Sequence, residues 1–372
     1  MHPSSTSHGT RRADRGQILV IAAFGMIGLI SMAALVLEGG NAYAQQRVVQ
    51  NGTDAAANAG ATVLARRLAG AALTDVDVAG AVTTIAGANS LDQEPAYYTD
   101  VQGRPIDVTG YVVGVDVAAK VGGGTIPTGA QGVGVRGTRT FGTFLGRAIG
   151  FNSFDASANA TAITGRLVGG NFLPVVFPIN IVDCNTNGDL GTGEAAWQLS
   201  QPGATGQHPT GVEYLVPLCK TGTGQFMILD LDVDMSCDEE VVTPPSVAFN
   251  IFPTFVNGDQ GNDCLKKITE EVSKKTDRVY MIPICDVDCS TTGGGNAKYK
   301  IVRIAAFYVD YMSYQNGGNN NQCDPVATGL VAIAGNGSSS CMAGWFVRYV
   351  TRGPVGAGPI GNSDAIGVQL IQ

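Results

Sequence analysis

Residues 18–37 read ILVIAAFGMIGLISMAALVL and contain no charged side chain. An α-helix of this length, at about 1.5 Å per residue, is about 30 Å long, which matches the hydrocarbon core of a bilayer. Arg11, Arg12 and Arg15 precede the segment, and the first basic residue after it is Arg47. Because cationic flanks stay on the cytoplasmic side, we expect a single-pass cell-membrane protein with a cytoplasmic N-terminus and an extracytoplasmic C-terminal domain.

A cleaved signal peptide is the alternative interpretation of the same segment. Residues 42–44 read Ala-Tyr-Ala, the small-residue pattern that signal peptidase recognises, and the arginines would form the basic region before the apolar run. The run is longer than the apolar region of about 7–15 residues in most signal peptides, which favours a retained anchor. Both routes export the rest of the chain.

The composition indicates a β-rich, turn-rich exported domain. Of 372 residues only 15% are charged, 51 are glycine, and the net charge is −8. An acidic chain without a basic stripe argues against nucleic acid as a partner. The predicted fold class is α+β: one N-terminal transmembrane helix, extended as a long Ala-rich helix, followed by a β-rich, disulfide-stapled ectodomain.

All eight cysteines follow residue 183, in the part of the chain that export would place in an oxidising compartment: Cys184, Cys219, Cys237, Cys264, Cys285, Cys289, Cys323 and Cys341. This distribution predicts up to four disulfides, whose pairing the spacing does not define. Free buried cysteines or a zinc site are the alternatives, although the chain contains no C-x-x-C motif.

The predicted helix does not stop at the membrane. From residue 41 to 68 the chain is rich in Ala, Gln, Arg and Leu and lacks proline, so one helix from about residue 17 to 69 would be about 80 Å long. Gly52 and Gly60 weaken it by about 1 kcal/mol each. Five alanines form a narrow surface where the backbone of another subunit could approach closely, which predicts self-association: Ala55, Ala56, Ala57, Ala59 and Ala61. The alternative is that the alanines are there only as good helix formers.

The remaining chain divides by composition. We predict a cytoplasmic tail (1–15), the transmembrane helix (16–37), a membrane-proximal helix (38–70), a β-rich region (71–170) and a Cys-rich, β-rich ectodomain (171–372). Strands are predicted at residues 111–118, 133–135, 154–164, 172–182, 279–284, 299–309 and 345–350, with helical turns at 143–149 and 266–275.

Two segments resemble the TadE/TadG-like family of Tad (Flp-type) pilus-assembly proteins. The first runs from Arg15-Gly-Gln through the apolar span to Glu38, and continues as VQNGTDAAANAGA at residues 49–61. The second is residues 138–162, similar to the strand, short helix and alternating-alanine strand of that family. The resemblance implies a membrane-anchored, pilin-like component that contacts other subunits of the apparatus. The chain lacks the D-x-S-x-S motif of members with a von Willebrand A domain.

Other functions stay open at this point. The alternative function is that of a secreted or surface-anchored adhesion module that binds through loops such as 314–322. A hydrolase has little support, because His208 is the only histidine beyond the N-terminal tail and neither G-x-S-x-G nor H-E-x-x-H occurs. Glu38 would either mark the membrane boundary or pair with a neighbouring subunit.

One motif predicts a structural calcium ion. Residues 183–194 fit the loop D-x-[DN]-x-[DN]-G-x5-E, in which Gly188 permits the sharp turn. The ligands would be Asp183, Asn185, Asn187, Asp189 (through its carbonyl) and Glu194. A plain Asn/Asp/Gly turn is the alternative. The alternating Asp230, Asp232 and Asp234 are better explained as the solvated face of a strand.

Overall fold

The structure is a computed structural model. It describes residues 13–92, 95–173, 175, 177–178, 180–182, 189–193, 213–217, 229–230, 240–242, 256–258, 262–274, 278–285, 298–299, 301–315, 320–332, 340–358, 360 and 364–371.

The described elements confirm an α+β protein with a long N-terminal helix. The helices are α1 (Ala13–Leu68), α2 (Asp75–Ala88), α3 (Asn262–Lys274) and the short α4 (Pro325–Thr328). The strands are β1 (Ala96–Thr99), β2 (Gly132–Gly142), β3 (Ser153–Leu167), β4 (Gly170–Phe172), β5 (Phe177–Pro178), β6 (Asn180–Val182), β7 (Asp189–Gly193), β8 (Tyr214–Pro217), β9 (Leu229–Asp230), β10 (Glu240–Val242), β11 (Val256–Gly258), β12 (Val279–Cys285), β13 (Lys298–Tyr299), β14 (Ile301–Tyr314), β15 (Val331–Ala332), β16 (Ser340–Phe346), β17 (Val350–Arg352), β18 (Val355–Gly356) and β19 (Ile366–Ile371).

Helix α1 is continuous over 56 residues, which corresponds to about 84 Å. The prediction of one unbroken helix through residues 17–69 is therefore confirmed. Its stability comes from two sources: good helix formers without proline, and a buried stripe in its C-terminal half. The buried side chains recur at helical spacing, at Val49, Thr53, Ala56, Ala57, Ala61, Leu64 and Ala65.

The chain divides into two compact units. The first comprises Met1–Ala56, Thr83–Pro95 and Val135–Ala160, and the second comprises Ala57–Val82, Ala96–Gly134 and Thr161–Gln372. One sheet has the strand order β1-β2-β3-β19-β17, with β18 also paired to β3.

The second unit contains another six-stranded sheet, with strand order β15-β8-β16-β14-β12-β5. Alternation along β12 gives the sheet two apolar faces. Ile282 and Ile284 join one core cluster, to which α3 adds Ile268 and Val272, whereas Met281 joins the cluster on the other face. Burial on both faces explains why these strands are so rich in apolar residues.

Cys341, near the start of the interior strand β16, forms a disulfide with Cys323 within a small buried cluster. The prediction of disulfides in the second half of the chain is therefore confirmed for this pair. A bridge across a sequence separation of 18 stabilises the fold by about 3 kcal/mol, chiefly by restricting the unfolded chain.

Most predicted elements outside α1 correspond to observed ones. The strand predicted at residues 345–350 is formed only in part, because β16 ends at Phe346 and β17 begins at Val350. The strand predicted at residues 111–118 is wrong. There the chain forms an isolated bridge at Val112 and a 3₁₀ turn at Val115–Val117. The cause is local turn chemistry: the Asp107 side chain accepts the backbone N–H groups of Thr109 and Tyr111, and Gly110 is left-handed at φ 93°. The valines alternate in sequence but do not enter a sheet.

Candidate functional site

The N-terminal part of α1 is apolar around its whole circumference and is exposed. Every Ile, Leu, Val, Phe and Met side chain from residue 18 to 37 is at least 50% exposed, the least being Val20. A soluble helix would bury one face and keep polar residues on the other. By length and composition this helix is suited to cross a membrane.

Glu38, the first residue after this apolar segment, is bound by a loop of the same unit. Its Oε1 accepts the backbone N–H groups of Leu145 at 2.6 Å and Gly146 at 2.9 Å. The Gly146 N–H, followed by those of Leu145 and Phe144, lowers the pKa of Glu38, while burial opposes the shift. The carboxylate therefore stays ionised at neutral pH, and the contact weakens as the pH falls through the lowered pKa.

The loop belongs to a hairpin that lies along the helix. Thr143 N donates to Asn152 O at one end of the β2–β3 pair, and Thr164 N donates to Gln131 O at the other, which defines an antiparallel pair. Two further hydrogen bonds join α1 side chains after Glu38 to the hairpin. Asn41 Nδ2 donates to Gly142 O at 3.5 Å, and Gln46 Nε2 donates to Ser157 O at 2.7 Å. The tip of the hairpin therefore points toward the apolar end of α1.

The alanine surface of α1 does not face outward. Ala56, Ala57 and Ala61 are fully buried within the chain, and Ala55 and Ala59 are half-buried. The predicted use of this surface for contacts with another subunit is therefore wrong for the three buried residues. Their small size serves close packing inside the protein.

Two glycines in the C-terminal half of α1, Gly52 and Gly60, have the same role. A Cβ on Gly60 would lie 2.8 Å from Val82 Cγ2 and 3.1 Å from Val133 Cγ1, in the second unit. In the first unit, a Cβ on Gly52 would lie 2.9 Å from Asn89 Cβ. The loss of helix propensity at these positions is thus offset by close approach of neighbouring elements.

We expect Gly60→Ala to destabilise the protein by about 1–3 kcal/mol, because overpacking against two β-branched side chains exceeds the gain in helix propensity. The matched control is Gly80→Ala in α2, where a Cβ would meet no atom within 4 Å. That change should stabilise the protein by about 0.5–1 kcal/mol. Thermal unfolding in detergent measures both; equal shifts for the two variants would contradict the packing argument.

The calcium motif lies mostly outside the described residues. Asp183, Asn185, Asn187 and Glu194 are among the residues not described, while Asp189 begins β7. Strand β6 ends directly before the motif and pairs with β7, Val182 lying opposite Asp189. The motif therefore begins directly after one strand and contains its antiparallel partner, β7. Among the described residues, no group of three His, Cys, Asp or Glu side chains is placed to hold a metal ion.

Calcium binding stays a prediction. Extracellular sites bind with Kd values of about 10⁻⁴–10⁻³ M, so 10 mM calcium would stabilise the native protein by about 1–3 kcal/mol. We expect thermal unfolding of the wild type to shift upward with calcium relative to chelator, and Asp183→Asn to reduce the shift. Magnesium at the same concentration is the control ion. An unchanged midpoint in the wild type would exclude the site.

Other candidate motifs give no catalytic site in the part of the chain that the structure describes. His208 and Asp232–Asp234 lie outside it, and the loop 314–322 is described only in part. Residues 132–137 match the pattern G-x-G-x-x-G of some phosphate-binding turns, but they lie in strand β2. A Cβ on Gly134 would collide with the Tyr97 ring, so this glycine makes room for an aromatic side chain.

Comparison with known proteins supports the resemblance found in the sequence. Residues 16–67 match the family described as putative Flp pilus-assembly TadE/G-like. The matched range coincides with α1 almost from end to end. No curated protein and no solved structure matches the chain.

Proposed function

We propose that this protein is a membrane-anchored, pilin-like structural component of a Tad-type pilus or of the apparatus that assembles it. Residues 16–37 would form a single transmembrane span with a cytoplasmic N-terminus, and the rest of the chain would lie outside. The observation that carries the proposal is the coincidence of three features in α1: the TadE/G-like match, an apolar segment exposed on all sides, and a packed C-terminal half.

The packing around Glu38 favours a retained span over a cleaved signal peptide. Residues 42–44 lie inside the continuous helix α1. Cleavage after Ala44 would also remove Glu38 and Asn41, the side chains that bind the hairpin tip. The folded exported part therefore uses residues that a signal peptide would discard.

The role is structural rather than catalytic, and the partners are the membrane and other subunits of the apparatus. Since the alanine surface is largely buried, contacts with other copies of the chain or other subunits would use the exposed segment 18–37 instead. Small residues in this segment, such as Gly25 and Gly28, leave open space around the helix.

The test is complementation of a deletion strain. We expect loss of surface pili on deletion and recovery with the wild-type chain. A chain in which residues 16–37 are replaced by a cleavable signal peptide is expected to be exported but to leave pili absent. Pili assembled normally by this soluble form would contradict the anchored role and favour a secreted adhesion module.

A further inference from the structure

The hairpin tip carries a cluster of large apolar side chains that the protein leaves in solvent. Phe144 is 69% exposed, Phe151 59%, Phe154 45% and Leu145 40%. The Phe151 and Phe154 rings are stacked with centroids 6.5 Å apart, and Phe141 packs against Phe154 at 6.3 Å. We call Phe144, Leu145, Phe151 and Phe154 the tip cluster. Large apolar side chains exposed together on one loop indicate a site of contact with another apolar surface.

The loop that presents the tip cluster is held by its own hydrogen bonds. Thr143 N donates to Asn152 O at 3.2 Å, and Phe151 N donates to Gly146 O at 2.9 Å. Gly150, left-handed at φ 93°, ends the 3₁₀ turn Gly146–Ile149. The exposed rings therefore sit on a closed, defined loop, and their exposure is a feature of the fold.

The contact between the loop and Glu38 indicates which kind of surface covers the tip cluster. Glu38 directly follows the last apolar residue, and its carboxylate binds the Leu145 and Gly146 amides. In the proposed topology Glu38 lies at the outer boundary of the hydrocarbon core. The tip cluster must then lie at the same depth, because the two are joined by direct hydrogen bonds.

We propose that the tip cluster inserts into the outer interface of the membrane beside the transmembrane helix. This inference rests on the proposed function, since it requires residues 16–37 to span a bilayer. Phe and Leu side chains on the apolar face of interfacial elements enter the boundary between headgroups and acyl chains. Arg147, exposed in the same loop, is placed to meet lipid phosphates. The hairpin thus gives the exported part a second membrane contact.

The experiment uses the full chain reconstituted in vesicles that float on a density gradient. Phe144→Trp and, separately, Phe151→Trp add a fluorophore to the tip. Tyr111→Trp is the matched control, because Tyr111 is an aromatic residue 75% exposed outside the loop. We expect lipids brominated near the headgroup to quench the added tip signal, and aqueous iodide to quench only the control. The wild-type emission is subtracted in each case.

The outcomes separate the two proposals. In one outcome the protein floats with the vesicles, but both tip tryptophans are as accessible to iodide as the control. The membrane anchor is then supported, and lipid contact by the tip cluster is excluded. A protein partner would cover the tip cluster instead. If the protein does not float at all, the anchor fails, and the tip proposal fails with it. Quenching of both tip variants by brominated lipid supports the inference.

Discussion

The variant Ile27→Arg/Leu29→Arg is expected to lose membrane integration. Each arginine near the centre of a span costs about 2.5–3.5 kcal/mol, whereas each Leu, Ile, Phe or Val contributes about 0.3–0.6 kcal/mol in favour of insertion. The segment contains eleven residues of those four types, so two central charges remove most or all of its driving force. Both positions are exposed, so the folded part of the chain is left unchanged.

The control places the same two charges outside the apolar segment. Val76 is 73% exposed and Val117 is 69% exposed, so Val76→Arg/Val117→Arg should fold and remain in the membrane. Resistance of the protein to alkaline extraction of membranes is the measurement. We expect resistance for the wild type and control, and extraction of the variant with charges in the span. Resistance of all three would contradict a transmembrane role for residues 18–37.

The second large effect is expected at Asp75, which is 3% exposed at the start of α2. Its Oδ1 accepts the Tyr98 hydroxyl at 2.7 Å and Gly122 N at 2.8 Å, and its Oδ2 accepts Gly124 N at 2.6 Å. Burial, with the bond to Asp75 as a second cause, raises the pKa of Tyr98, so its hydroxyl remains a donor. Asp75 thus joins helix, strand and glycine turn within the second unit.

We expect Asp75→Ala to lower the free energy of unfolding by about 3–4 kcal/mol, because three donors lose a charged acceptor in a buried site. Asp77→Ala is the control. Asp77 lies two residues further along the chain, is exposed, and accepts the backbone N–H and the hydroxyl of Thr74 as a helix cap. Its loss should cost about 1 kcal/mol. Denaturant unfolding of the detergent-solubilised protein compares the two; similar losses would show that the Asp75 contacts contribute little.

The long helix and the core strands could be predicted because each depends on local pattern. Continuous apolarity, absence of proline and alanine content are sufficient to predict α1, and apolar runs rich in β-branched and aromatic residues are sufficient to predict β12 and β14. The helix glycines show the limit of this reasoning. From the sequence, Gly60 is expected only to lower the helix propensity of α1. In the fold it allows Val82 and Val133 to pack closely against the helix.

The tip cluster could not be predicted from the sequence. Phe144 and Leu145 fall in the predicted helical turn at residues 143–149, where large apolar side chains usually face a core. No local sequence pattern indicates that they and Phe151 stay exposed. Their position follows from a contact over 107 residues, between Glu38 and Leu145. Asp75 was missed for the same reason, since its partners lie 23 to 49 residues away. Pairings at such separations depend on the assembled fold.

The proposed function requires that residues 16–37 are retained as a membrane anchor. Mass spectrometry of the mature chain, recovered separately from membranes, surface fibres and medium, tests it most directly. We predict a polypeptide in the membrane fraction that still contains residues 18–44 linked to the rest of the chain. A mature chain that begins at Gln45, in the medium or in fibres, would contradict the account, because neither the span nor the Glu38 contact with the hairpin tip would then exist in the working protein.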